Sequence, residues 1–190
     1  MLLHLVRHGR PLVDPPAPPR EWHLDPAGIV EIETLRAALP ASATGASWFS
    51  SDERKALATA QRLTDSAIQP VPELREAARH AFVKDQATFA DAVSRGLQRP
   101  AVAALPGWEP LERTRQRVTD AVTEIASRSS GDVVLVGHGT AWTLLVSYLS
   151  DEPLPQDLPP MAMPDLLIVD INSQTIVSRW GDWRVREDEP

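Results

Sequence analysis

Two histidines follow short apolar runs at matching positions in the chain. His8 lies in the triplet Arg7–Gly9, directly after the run Leu2–Val6, and His138 follows the run Asp132–Val136. Runs of this length and composition are typical of buried strands in a parallel sheet. Because ligands bind beyond the carboxyl ends of such strands, the two histidines are predicted to face one crevice. An imidazole in such a crevice can serve as a nucleophile.

Groups that bind anions are predicted beside these histidines. Arg7 precedes the first histidine, and Arg54 lies in the first turn of a helix predicted over Asp52–Thr64, from which it can turn back toward the sheet edge. Guanidinium groups donate through planar forks that match phosphate oxygens. A helix predicted over Gly139–Leu149 would point its free N–H groups into the same crevice, which favours an anion.

This combination of residues suits transfer of a phosphoryl group to His8. Negative charge then spreads over the equatorial oxygens, and fixed cations stabilise it without a metal ion. The leaving alkoxide needs a proton, and Glu76 is the candidate general acid. His4 and His8 are four residues apart, which is too far on a strand for shared metal ligation, so no metal site is expected and His4 is predicted to face the core.

The composition excludes several classes of protein. The 190 residues carry a formal net charge of -7, which argues against nucleic-acid binding and requires a local basic pocket for any anionic substrate. Disulfides, thiolate catalysis and zinc-thiolate sites are excluded because the chain has no cysteine. Since no long apolar stretch is present, we expect no membrane partner and a cytoplasmic location. The oligomeric state stays open.

Strands alternate with helices along the chain, which predicts an α/β fold. We expect a three-layer sandwich in which helices cover both faces of a mostly parallel central sheet. No repeat or linker divides the chain, so residues 1–190 are predicted to form one domain. Further strands are predicted at Ser47–Ser50 and in a closing pair that can add an antiparallel edge, and further helices at Ala27–Leu39, Lys84–Leu97 and Leu111–Ser127.

Six motifs in this order resemble those of the histidine phosphatase superfamily, branch 1, which has the phosphoglycerate mutase-like fold. The resemblance covers most of the chain. The motifs are Arg7-His8-Gly9, Trp22–Gly28, Ser50–Ala56 with Thr59-Ala60, Leu74-Arg75-Glu76, Gly107-Trp108-Glu109 and Val136–Thr140.

The resemblance implies a role for each matching residue. His8 would become phosphohistidine, and Glu76 would protonate the leaving group and then activate water. Thr140 stands where another branch of the superfamily has an acid, which favours the mutase-like branch. No cofactor is implied. The phosphoryl group would be held by Arg7, Arg54, His138 and Gly139.

The chain departs from the family pattern around the substrate. Arg10-Pro11 follows the first triplet where Glu-Thr or Glu-Ser is usual, and Asp14 stands where mutases often have an asparagine. That carboxylate would repel phosphate unless it turns away or pairs with Arg10. The stretch Ala77–His80 lacks the usual glycine and Trp-Glu-Gly pattern. The chain is also shorter than a typical mutase, which favours hydrolysis over transfer between substrate positions.

Three functions remain open from the sequence. The first is a phosphatase that acts on a small phosphorylated metabolite, so that the expected partner is a small-molecule phosphate ester. The second is a protein phosphatase for phosphohistidine or another phosphorylated side chain, which a Glu76 outside the pocket would favour. The third is a non-catalytic module that binds phosphate. A mutase is a less favoured fourth candidate.

Overall fold

A six-stranded sheet forms the centre of the protein, in the strand order β3-β2-β4-β1-β5-β6. The computed structural model describes residues 1–80 and 82–187. The strands are β1 (Leu2–Arg7), β2 (Ser47–Ser50), β3 (Ile68–Pro70), β4 (Val133–Gly137), β5 (Asp165–Asp170) and β6 (Thr175–Ser178).

Five α-helices pack around this sheet in the described part of the chain. They are α1 (Ile29–Ala38), α2 (Arg54–Leu63), α3 (Gln86–Gln98), α4 (Leu111–Arg128) and α5 (Gly139–Leu149). The predicted and observed elements agree to within a few residues at their ends. The first helix begins later than predicted because Pro26–Gly28 forms a separate 3-10 turn, capped by the Asp25 side chain. No helix in the described ranges is long and apolar enough to cross a membrane.

The strand pairing confirms a mostly parallel sheet with an antiparallel edge. β1 pairs in parallel with β4, β4 with β2, and β2 with β3. β5 runs antiparallel to β1, and β6 runs antiparallel to β5. The four parallel strands therefore direct their carboxyl ends to one edge of the sheet, where the two histidines were expected.

Helices cover both faces of the sheet, which confirms the three-layer architecture. Side chains of β4 alternate between the two cores: Val133 and Leu135 face the side of α4 and α5, whereas Val134 and Val136 face the side of α1 and α2. All four are fully buried. This strand is apolar throughout because neither of its faces meets water.

His4 lies in this core, as its sequence context predicts. Its side chain is fully buried, its Nδ1 lies 3.2 Å from the Val133 carbonyl oxygen, and its Nε2 lies 2.8 Å from Ser42 Oγ. Because a carbonyl oxygen only accepts, Nδ1 carries the proton. Burial lowers the pKa of His4 below its ordinary value, so the ring is neutral at pH 7.

Hydrogen bonds and packing hold the carboxyl ends of β1 and β4 together. Arg7 stands opposite Gly137 in the parallel register, and the His8 N–H donates to the Gly137 carbonyl oxygen at 2.9 Å. The Trp142 indole packs against Gly137 and donates to the Val6 carbonyl oxygen at 2.8 Å. The first turn of α5 is thereby fixed to the ends of both strands.

Glycine at position 137 is required by this packing, which gives a first prediction. A Cβ atom there would lie 2.5 Å from Trp142 Cζ2, so Gly137→Ala forces the indole to move. We expect a loss of about 1–3 kcal/mol in the free energy of unfolding, measured by chemical denaturation.

Gly131→Ala is the matched control, since nothing lies within 4 Å of the Cβ position at Gly131, just before β4. If both variants unfold at the same denaturant concentration, Trp142 does not clamp the two strand ends.

Candidate active site

His8 is held so that one ring nitrogen is free to react. Its Nδ1 lies 2.7 Å from the Gly9 carbonyl oxygen, so Nδ1 carries the proton and Nε2 keeps its lone pair. The side chain is 6% exposed. Burial, followed by the neighbouring His138 and the positive charge of Lys55, lowers the pKa of His8 well below its ordinary value. At pH 7 the ring is therefore a neutral imidazole.

His138 lies beside His8, as the strand positions predict. The two ring centroids are 5.1 Å apart in an edge-on arrangement. His138 Nε2 lies 2.9 Å from Ser51 Oγ, whereas its buried Nδ1 has no hydrogen-bond partner among the described residues. Burial, followed by the positive charge of Lys55, lowers the pKa of His138 well below its ordinary value. At pH 7 the His138 ring is therefore neutral as well.

Arg7 reaches across the start of α5. Its Nη1 donates to the Met161 carbonyl oxygen at 2.6 Å, and its buried Nε has no partner among the described residues. A Cβ atom on Gly139 would lie 3.3 Å from that Nε, so a larger residue there would push the guanidinium slightly away. Arg7 and Gly139 are therefore brought together beside the histidines, as the sequence predicted.

Lys55, not Arg54, is the second cation of this cluster. Arg54 is exposed and its Nη1 lies 2.8 Å from His23 Nε2, so its side chain does not turn back toward the sheet edge as the sequence predicted. The Lys55 ammonium is buried instead. It donates to the Pro19 carbonyl oxygen at 2.9 Å and forms an ion pair with Glu53.

The phase of α2 explains why the sequence misplaced this charge. Successive residues of a helix point about 100° apart, so two adjacent basic residues cannot both face the pocket. Lys55 shares its face with Thr59, four residues later. The Thr59 hydroxyl donates to the Lys55 carbonyl oxygen at 2.7 Å and accepts the Gly9 N–H at 3.0 Å. The four-residue spacing of Lys55 and Thr59 is the sequence feature that could have indicated that Lys55 faces the pocket.

Glu76 lies in the same cluster and binds the start of α5. Its Oε1 accepts the backbone N–H groups of Ala77 at 3.0 Å and Ala141 at 3.1 Å, and its Oε2 accepts that of Thr140 at 3.1 Å. The N–H groups expected to be free for a bound anion are thus partly occupied by the protein's own carboxylate. The Gly139 N–H has no acceptor among the described residues.

These contacts keep Glu76 ionised. Burial alone would raise its pKa, but the positive charge of Arg79 and the hydrogen bonds from the Ala77 and Thr140 amides together lower the pKa below the ordinary value. At pH 7 the side chain is therefore a carboxylate and accepts protons more readily than it donates them.

Arg79 is a further cation of the cluster that the sequence did not reveal. Its Nη2 donates to Thr140 Oγ1 at 2.9 Å, and its guanidinium carbon lies 4.8 Å from the Phe89 ring centroid and 4.9 Å from that of Trp108. Cation–π contacts with these two neighbouring rings help to hold the group beside Glu76. Since those rings come from distant segments, no local pattern predicts this placement.

The rim residues that depart from the family pattern lie outside this cluster. Arg10 pairs with Asp25 at 2.9 Å, so it is not the partner of Asp14 that the sequence offered. Asp14 is exposed. His80 is also exposed and packs over Gly107, where a Cβ atom would lie 3.4 Å from the His80 ring.

Residues 3–182 match the histidine phosphatase superfamily (branch 1). The chain belongs to this family. No curated protein matches the chain.

Solved structures confirm the phosphoglycerate mutase-like fold of this chain. Bacillus stearothermophilus YhfR is 23% identical with a TM-score of 0.75, over 95% of this chain and 96% of that one. The native mycobacterial glucosyl-3-phosphoglycerate phosphatase Rv2419c is 21% identical with a TM-score of 0.74, over 96% and 97%. A phosphoglycerate mutase from Thermus thermophilus is 22% identical with a TM-score of 0.65, over 95% and 99%.

These neighbours include a phosphatase and a mutase, so they do not decide between the two reactions. They also remove one argument drawn from the sequence. Because 99% of the solved mutase chain is covered, chain length does not favour hydrolysis over phosphoryl transfer.

The charges around the two histidines offset one another. Three cations lie in or beside the cluster, and three carboxylates lie close to them, one of which is Asp165 beside Arg7. Because the chain as a whole carries a net charge of -7, any anion that binds here depends on these local cations. The charged groups are Arg7, Lys55, Arg79, Glu53, Glu76 and Asp165.

The assignment of Lys55, in place of Arg54, as the second cation of the cluster gives a second prediction. Lys55→Met should weaken binding of inorganic phosphate at least about tenfold, because a buried charged donor contributes roughly 1.5–3 kcal/mol. Isothermal titration calorimetry with phosphate measures the change. Arg54→Met is the control, and its exposed contact with His23 should contribute almost nothing. A larger loss for Arg54→Met than for Lys55→Met would contradict this assignment.

Proposed function

We propose that this histidine phosphatase hydrolyses phosphate monoesters of small metabolites through a phosphohistidine at His8. One observation carries the proposal: the Gly9 carbonyl fixes Nδ1–H, which leaves a neutral Nε2 beside buried cationic groups. Arg7 and Lys55 provide positive charge, and the unpartnered Nδ1 of His138 is available to a phosphoryl oxygen.

In the first half of the reaction, His8 Nε2 attacks phosphorus. The N–P bond forms as the ester P–O bond breaks, and Arg7 and Lys55 stabilise the charge on the equatorial oxygens. The leaving oxygen takes a proton from Glu76. That carboxylate is ionised at rest, but a phosphate dianion next to it raises its pKa and so favours uptake of the proton beforehand.

In the second half, water attacks the phosphorus of phospho-His8. A new P–O bond forms, the N–P bond breaks, and Glu76 accepts the proton that the water loses. A carboxylate with a lowered pKa at rest suits this step, because it is present in the basic form at neutral pH. The guanidinium and ammonium groups supply the positive charge, so we propose that neither a metal ion nor another cofactor takes part.

The ionisation of Glu76 also favours a second candidate, a protein phosphatase for phosphohistidine or another phosphorylated side chain. A phosphohistidine leaving group needs little protonation, so a weak proton donor is sufficient. Glu76 lies inside the cluster, however, and the sequence linked the second candidate to a Glu76 outside the pocket. We therefore place this candidate after the small-metabolite phosphatase.

A module that only binds phosphate is the third candidate. Such a module needs the cations but has no use for a neutral imidazole whose tautomer is fixed. The hydrogen bond from His8 to the Gly9 carbonyl oxygen is a feature of a nucleophile, which argues against this candidate.

Hydrolysis of two model esters tests the proposal. With a chelator present, the wild type should hydrolyse an aryl and an alkyl phosphate, and His8→Ala should abolish both activities. Glu76→Gln should slow the alkyl ester by about 10²–10⁴-fold, because its alkoxide needs the proton, and should slow formation of the phosphoenzyme from the aryl ester far less. Steady-state and single-turnover rates measure these effects.

His80→Ala is the control, since it removes an exposed histidine that lies four residues from Glu76. Near-normal activity in His8→Ala, or loss of activity with the chelator, would contradict the proposed mechanism. Binding of phosphate without any turnover would support the third candidate. A panel of metabolite phosphates and a phosphohistidine peptide would then separate the first two.

A further inference from the structure

A buried carboxylate lies inside the proposed phosphate pocket. The Glu53 side chain is 5% exposed and forms an ion pair through Oε2 with Lys55. Its Oε1 accepts the Glu76 N–H at 3.0 Å and lies 3.6 Å from His138 Nε2. A carboxylate here opposes binding of an anion, because like charges brought close together in a buried site repel strongly.

Glu53 is paired with the ammonium of Lys55, which is the cation that a bound phosphoryl group would need. Lys55 uses two of its donors in the protein, one for Glu53 and one for the Pro19 carbonyl oxygen. Its ammonium is a compact point charge on a flexible stem, so it can exchange one anionic partner for another with a small movement. Arg7, in contrast, is fixed by the Met161 carbonyl oxygen and by the close approach of Gly139.

Glu53 is also hydrogen-bonded to the rest of the site. Its backbone N–H donates to Ser51 Oγ at 3.3 Å, and that oxygen lies 2.9 Å from His138 Nε2. Through its Oε1 it also fixes the backbone of Glu76. Glu53 therefore keeps its place when Lys55 leaves it, and the ammonium is the mobile member of the pair.

We propose that Glu53 is a positioning residue that competes with the phosphoryl group for Lys55 and thereby promotes release of phosphate. The inference rests on the proposed function, since it assigns the phosphoryl site to the same pocket. Without ligand, Lys55 pairs with Glu53; a bound phosphoryl group takes over the ammonium. When inorganic phosphate is the product, Glu53 reclaims Lys55 and lowers the affinity for that product.

Calorimetric titration with inorganic phosphate tests the competition. Glu53→Gln keeps an acceptor for the Glu76 N–H but removes the charge, so we expect phosphate to bind about tenfold more tightly. In steady-state kinetics, KM should fall and kcat should fall with it, because release of the product becomes slower. A residue that only supports the fold would weaken phosphate binding or leave it unchanged when removed.

Asp52→Asn is the matched control. It removes the same charge one residue earlier, from a half-exposed pair with Arg75, and should leave phosphate affinity almost unchanged. Relative to Lys55→Met alone, the double variant Glu53→Gln with Lys55→Met should tighten phosphate binding clearly less than Glu53→Gln tightens it relative to the wild type, since only the repulsion is removed and no ammonium is left to release. If Glu53→Gln does not fold, Glu53→Met removes the charge in a similar volume.

The outcomes separate the two proposals. If the wild type binds phosphate and turns over but Glu53→Gln does not tighten binding, the competition is wrong while the proposed function stands. Equal tightening in Asp52→Asn would likewise overturn it, because the effect would then come from net charge. If the wild type neither binds phosphate nor hydrolyses any ester, the proposed function and the inference fail together.

Discussion

Parallel pairing of β1 with β4 is the constraint on which the rest of the site depends. It sets Arg7 opposite Gly137, and the His8 N–H donates to the carbonyl oxygen of that glycine. The chain leaves both strands at one edge of the sheet, so two residues 130 positions apart become neighbouring histidines. The close contact of Trp142 with Gly137 then fixes the start of α5, and with it Glu76.

The electrostatics of the pocket follow from burial. Burial makes His8 and His138 neutral, which preserves a lone pair for attack but removes two cations that could hold an anion. Arg7 and Lys55 supply that charge instead. Each has a carboxylate near it, Glu76 in one case and Glu53 in the other, because isolated charges are costly in a buried site. The charges of the pocket consequently offset one another.

The sequence predicted much of this arrangement, and its errors have physical causes. Apolar runs and chain order predicted the strands and the shared crevice of His8 and His138, whereas Glu76 was proposed because the leaving group needs a proton and because the motifs resemble those of the family. Arg54 was named as the second cation and Lys55 was not considered; only helix phase, which the four-residue spacing of Lys55 and Thr59 indicates, shows which of the two adjacent basic residues faces the pocket. Arg79 escaped notice because its position depends on aromatic rings from distant segments. The N–H groups at the start of α5 were expected to be free, but the Glu76 carboxylate, from a segment distant in the sequence, accepts two of them.

The central claim is that Nε2 of His8 carries the phosphoryl group during turnover. Rapid quenching of the wild type with an aryl phosphate into alkali, followed by digestion and mass spectrometry, tests it most directly, because an N-linked phosphoryl group survives alkali and is lost in acid. We expect one added phosphoryl group on the peptide that contains His8, and none on the corresponding peptide of His8→Ala. A phosphoryl group on another residue, or turnover without any phosphoenzyme in single-turnover experiments, would contradict it.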